Sequence, residues 1–203
     1  MRRIAPLLIL FALRPDPGAA HAFEGGSGIY DQFTQGVAVA LTAPSIVLCL
    51  LPLGILVGGW RSDGMLAVWP WLLAGQAAGL FLAPLMPPEI TAAALALGLV
   101  TGALAALKPD PPSPVPQGFA ALTGLLATMS SFEGHALFEL PLGVHAGLIF
   151  GANVAVAAPA ALVASTLERW PRDWLSIGWR VAASWLAAIC ALVLAFEMRP
   201  LLT

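Results

Sequence analysis

The segment Ser131-Phe-Glu-Gly-His-Ala-Leu-Phe-Glu139 carries three side chains that can donate electron pairs to a cation: Glu133, His135 and Glu139. A helix running through it would set His135 and Glu139 one turn apart on one face. His145 follows shortly after, and Asp31 lies far upstream. Imidazole combined with carboxylate suits a divalent transition cation such as nickel, zinc, cobalt or iron. The competing reading of the same residues is a polar hairpin, with His145 bonded to a backbone carbonyl or a Ser/Thr hydroxyl. Elsewhere the chain offers little chemistry. No Ser/His/Asp set, phosphate loop or HExxH is present, and Cys49 and Cys190 are too few and too scattered for a zinc or iron–sulfur site. The chain does not read as an enzyme.

The elements that must position these groups follow from composition. Of 203 residues, 59% are hydrophobic and 10% charged, and mean hydropathy is +0.87. A soluble domain carries about 25% charge, so an ordinary globular fold is excluded. Disorder is excluded by the same hydrophobicity. Nine Lys/Arg against eleven Asp/Glu leave no basic patch for nucleic acid. The expectation is an all-α integral membrane protein, a six-transmembrane-helix bundle preceded by a cleavable signal peptide.

Charges punctuate the apolar runs, and a span needs ~20 apolar residues to cross a hydrocarbon layer. Spans are expected at about 35–58, 65–85, 89–107, 117–133, 141–166 and 175–197, forming one transmembrane domain over 23–203. A membrane barrel is not expected, because the runs are apolar on every side. Arg2 and Arg3, a short apolar run and Ala20-His21-Ala22 have the layout of a signal peptide over 1–22. Its removal would take away three Arg and one Asp, leaving six basic and ten acidic residues.

Basic residues in short loops mark the cytoplasmic face. Arg61, Lys108, Arg169 and Arg172 fall in the loops 59–64, 108–116 and 167–174, with Arg180 a turn inside the last span. The opposite side has only Arg199, together with Glu24, Asp31, Glu89, Glu133, Glu139 and Glu197. This assigns a bacterial inner-membrane protein with both mature termini in the periplasm.

The proline-rich loop Lys108-Pro-Asp-Pro-Pro-Ser-Pro-Val-Pro116 reads as an extended, non-helical linker. Gly54/Gly58, Gly75/Gly79, Gly98/Gly102 and Gly143/Gly147/Gly151 are small-x-x-x-small faces. They can pack helices within one bundle or join copies and partner subunits. Leu-Pro-Leu-Gly-x-x-x-Gly occurs at 51–58 and again at 140–147. Among polar residues in the spans, Gln76 and Asn153 could line a narrow neutral route or join helices. No mid-span carboxylate is available for proton coupling. Six of seven tryptophans (60, 69, 71, 170, 174 and 179) gather toward the cytoplasmic interface.

The order of Ala20-His-Ala22, Ser27-Gly-Ile-Tyr-Asp31, Leu41-Thr-Ala-Pro44 and Leu50-Leu-Pro-Leu-Gly-Ile-Leu-Val-Gly58 resembles the HupE/UreJ family of hydrogenase- and urease-linked membrane proteins. Glu133-Gly-His-Ala136 with Glu139 is similar to that family's His-Gly-x-Ala-His-Gly-x-Glu stretch. The resemblance implies nickel permeation or metal delivery. The family's first helix also carries a His-Pro and an Asp-His. Here those places read Thr34-Gln35-Gly36 and Ser45-Ile46, while Glu133 replaces the leading His and Leu137 the second. The ligand set that survives is Asp31, Glu133, His135, Glu139 and His145. Two functions follow as expectations. One is divalent-metal handling from the periplasmic side; the other is a ligand-poor relative serving as a structural or assembly subunit of a membrane complex.

Overall fold

The computed structural model describes residues 28–85, 90–107, 111–133, 135 and 139–198. The expected signal peptide lies outside them, as does Lys108. Among the described residues there are seven α-helices and no strand: α1 (Ile29–Thr42), α2 (Pro44–Trp60), α3 (Gly64–Leu82), α4 (Ile90–Leu107), α5 (Pro114–Ser131), α6 (Leu142–Arg169) and α7 (Asp173–Glu197). A short 3-10 turn, Ala83–Leu85, extends α3. Four of these helices, α3, α4, α6 and α7, are long and apolar enough to cross a bilayer; α1 and α2 together would make a fifth.

The first expected span is corrected. It is not one helix over 35–58 but two, meeting at an angle of 71°. Proline lacks an N–H and crowds the residue before it out of helical geometry. Ala43, preceding Pro44, is accordingly extended (φ −68°, ψ 116°), and Pro44 opens α2. Little hydrogen bonding is lost at the break, since Ala43 N–H donates to Val39 O and Ala43 O accepts from Val47 N–H, both at 3.0 Å.

The proline-rich linker is corrected in the other direction. Pro114 and Pro116 lie inside α5 rather than in an extended loop. In a first helical turn the N–H groups have no intrahelical partner, so proline there sacrifices nothing.

α2 is the central helix. Its buried residues run almost unbroken from Ile46 to Gly58, and it packs on α4, α5, α6 and α7. α7 is peripheral and buries only Ala183, Ala187 and Cys190. Its outer face shows Ile177, Val181, Trp185, Ile189, Leu192 and Phe196, a stripe recurring every three or four residues. Such a surface suits hydrocarbon and not water.

The glycine faces are filled by helices of the same chain. Gly147 lies against Phe33 and Val37, and Gly151 against Val37 and Ala40, so α1 runs parallel to α6. Gly54 makes room for Pro159 and Gly58 for Ala160, which continues the parallel packing with α2. Gly75 and Gly79 meet Ala121 and Leu125, setting α3 parallel to α5. Gly102 meets Ala183 and Ala187, while Ala106 meets Arg180, so α4 and α7 are antiparallel. The two Leu-Pro-Leu-Gly-x-x-x-Gly copies thus serve different contacts, one facing α6 and the other α1. Cys49 and Cys190 are both free and buried, and the Cys190 thiol donates to Leu48 O at 3.5 Å.

These directions give the bundle two chemically distinct ends. One holds Arg61, Arg169, Arg172 and Arg180 with Asp63, Glu168 and Asp173. The other holds Asp31, Glu133, Glu139 and Glu197 with His135 and His145.

Candidate functional site

At the acidic end, the first turn of α6 meets the first turn of α1, Gly143 lying against Ile29 and Gln32, and reaches the end of α5 where His145 stacks on Phe132. The expected helix through 131–139 is not formed: α5 stops at Ser131. Phe132 N–H donates to both Thr128 O and Met129 O at 3.2 Å, tightening the last turn. The Phe132 side chain then turns into the core, where it is 5% exposed. His135 and Glu139 therefore do not share a helical face.

Glu133 is held from the side. Its Oε2 accepts from Thr91 Oγ1 at 2.7 Å, and Thr91 Oγ1 is 2.8 Å from Ser130 Oγ. This ties the end of α5 to the start of α4. Thr91 was not anticipated from the sequence; a lone threonine at a helix start carries no periodic signal.

The two imidazoles share one arrangement. His135 Nδ1 lies 3.2 Å from Glu133 O, and His145 Nδ1 lies 3.1 Å from Pro141 O. A carbonyl only accepts, so each Nδ1 carries the proton, and in the neutral ring the lone pair belongs to Nε2. A backbone carbonyl on one ring nitrogen is also how metal-binding histidines are oriented. His145 is 6% exposed and stacks on Phe132 with ring centroids 4.7 Å apart. Its carbonyl bond matches the polar-hairpin reading of that residue. Asp31 and Glu139 are exposed; Asp31 O also accepts from Thr34 Oγ1 at 3.0 Å.

The five expected ligands thus share one end of the bundle without forming a single shell. Among the described residues, no three His, Cys, Asp or Glu side chains stand together as a metal-holding group.

A second polar centre lies within the bundle. Asn153 of α6 accepts from Trp69 Nε1 at 2.8 Å and donates through Nδ2 to Gln76 Oε1 at 2.9 Å and Ile149 O at 2.8 Å. It joins α3 to α6, which is the helix-joining alternative for these amides. Gln76 is 1% exposed, and among the described residues its Nε2 has no hydrogen-bond partner; the Thr123 hydroxyl is likewise buried and unpartnered among them. Trp69, expected as an interfacial anchor, spends its N–H here.

No family model, curated protein or solved structure matches the chain.

Proposed function

We propose that this chain is a six-span, HupE/UreJ-like protein of a bacterial inner membrane that takes up divalent transition cations at its acidic, periplasmic end. The observation that supports the reading best is the pair of imidazoles at that end, each with Nδ1 against a backbone carbonyl, beside Glu133 and with Asp31 and Glu139 in the same region. The surplus of carboxylates there raises the local cation concentration. In the six-span arrangement α4 and α5, each of 18 residues and ~27 Å long, are the shortest crossings and α1–α2 a broken one. Passage of the cargo is downhill, because no mid-span carboxylate is available to couple it to protons.

Metal content of the purified protein after nickel, zinc, cobalt or iron loading tests this, alongside metal uptake by whole cells. His135→Ala/His145→Ala should lower both. Unchanged uptake and retention in the double variant would refute it. The second reading, a structural or assembly subunit, is favoured by the bond that engages Glu133 with Thr91 and by the lack of a convergent three-ligand group among the described residues. A stoichiometric partner retained in mild detergent, with no bound metal, would decide for that role.

A further inference from the structure

A cavity of about 310 Å³ opens at the basic end, among the last turns of α2 and α6 and the first two turns of α7. Its floor is apolar, with Ile55, Leu56 and Val163 all buried. Trp60 and Trp179 also line it, and the Trp179 ring is fixed by its N–H bond to Thr166 Oγ1 at 3.0 Å. Its polar lining is Arg172, Asp173, Ser176 and Arg180; the last three recur at helical spacing along one face of α7.

Arg180 is anchored from behind. Its Nε donates to Ala106 O at 2.7 Å, satisfying one of the carbonyls that α4 leaves open at its C-terminus. That bond uses one of five guanidinium N–H groups. Among the described residues the one ion pair joins Arg61 to Asp63, so no carboxylate there neutralises Arg180. Arg180 is half-buried over the apolar floor, and the four remaining N–H groups have the geometry that takes phosphate in a fork.

We propose that this cavity binds the phosphodiester headgroup of an anionic phospholipid. Arg180 and Arg172 hold the phosphate, and the Ser176 hydroxyl donates to it. The glycerol and upper acyl carbons lie on Ile55, Leu56 and Val163. Two arginines and Asp173 give the lining a net charge of one positive unit, which a single phosphodiester balances. Apolar floor and tryptophan walls select a lipid over a free phosphate, and basic pockets between helices at a membrane surface are a recurrent form of headgroup site. The proposal rests on the membrane placement of the bundle and is independent of cation uptake.

The test is native mass spectrometry of the full chain in detergent, titrated with phosphatidylglycerol, phosphatidylcholine or inorganic phosphate. Phosphatidylglycerol should bind and outcompete phosphatidylcholine. Arg180→Gln should weaken it about tenfold, as loss of a charged hydrogen bond implies. Arg172→Gln should weaken it roughly fivefold, and Asp173→Asn should tighten it, because a repelling charge is gone. Arg180→Gln also uncaps α4, so Arg172→Gln and Asp173→Asn, neither side chain bonding across helices among the described residues, decide the matter. Retention unchanged in both variants, equal binding of phosphatidylcholine, or displacement by equimolar inorganic phosphate would overturn the proposal. Release of the wild-type chain from membranes by a carbonate wash would overturn the membrane placement itself.

Discussion

Replacing Gly75 by alanine tests the helix packing with a change of one methyl group. A Cβ built at Gly75 falls 2.0 Å from Ala121 O, 2.9 Å from Ala121 C and 3.0 Å from Leu125 N. All three are backbone atoms of α5, so no rotamer change can relieve them. The helices must separate by more than an ångström, loosening the contacts from Leu72 to Thr128. Overpacking of this kind costs about 1–3 kcal/mol, against a gain of about 1 kcal/mol from the better helix propensity of alanine. With a rigid backbone on the far side the cost sits at the upper end, giving a net loss of about 1–2 kcal/mol. Gly118 and Gly178 supply the matched control, since a Cβ there meets nothing within 4 Å. Gly118→Ala and Gly178→Ala keep only the propensity gain and should stabilise by up to about 1 kcal/mol. Unfolding in mixed micelles, followed by tryptophan fluorescence, reads the difference. Gly75→Ala as stable as Gly178→Ala would refute the close approach of α3 and α5.

Asn153→Leu should destabilise the bundle by about 1–2 kcal/mol, because it leaves the buried Gln76 Oε1 as unpaired as its Nε2 and removes the partner of the Trp69 N–H; Gln76→Leu, which removes an amide already half unpaired, should cost less. The double variant should cost less than the sum of the two, and strict additivity in the same unfolding assay would show that the bond contributes nothing. Gly102→Cys with Ala187→Cys, in a chain lacking Cys49 and Cys190, should form a disulfide on mild oxidation. The Gly102 Cβ position lies 3.2 Å from Ala187 Cβ, a little inside the usual 3.5–4.5 Å range. Loss of thiol labelling reports the bond, and persistent labelling would contradict antiparallel α4 and α7.

Much of the helical framework was legible because charges and apolar runs are local signals. The expected boundaries near 65–85, 89–107, 141–166 and 175–197 fall close to α3, α4, α6 and α7. Proline was where local reading failed, in both directions. Pro44 breaks an apolar run that hydropathy reads as continuous, whereas Pro114 and Pro116 sit where a helix tolerates them. The acidic end was legible as a list of residues but not as a geometry. Whether His135 and Glu139 share a face depends on where α5 stops, and the contact made just beyond that point, Phe132 on His145, is tertiary and leaves no local signal. In the Trp69–Asn153–Gln76 network the two amides were legible as helix-joining candidates, but their pairing with each other and with Trp69 was not. Its members are far apart in sequence and become neighbours only through the packing of α3 on α6.

A bundle that spans a membrane in this way holds its imidazole-bearing end and its arginine-rich end on opposite sides. Reporter fusions at Lys108 and Glu133, one of a kind active only outside the cytoplasm and the other only inside, test it most directly. Lys108 should report the cytoplasm and Glu133 the periplasm; the same compartment at both positions would contradict the account.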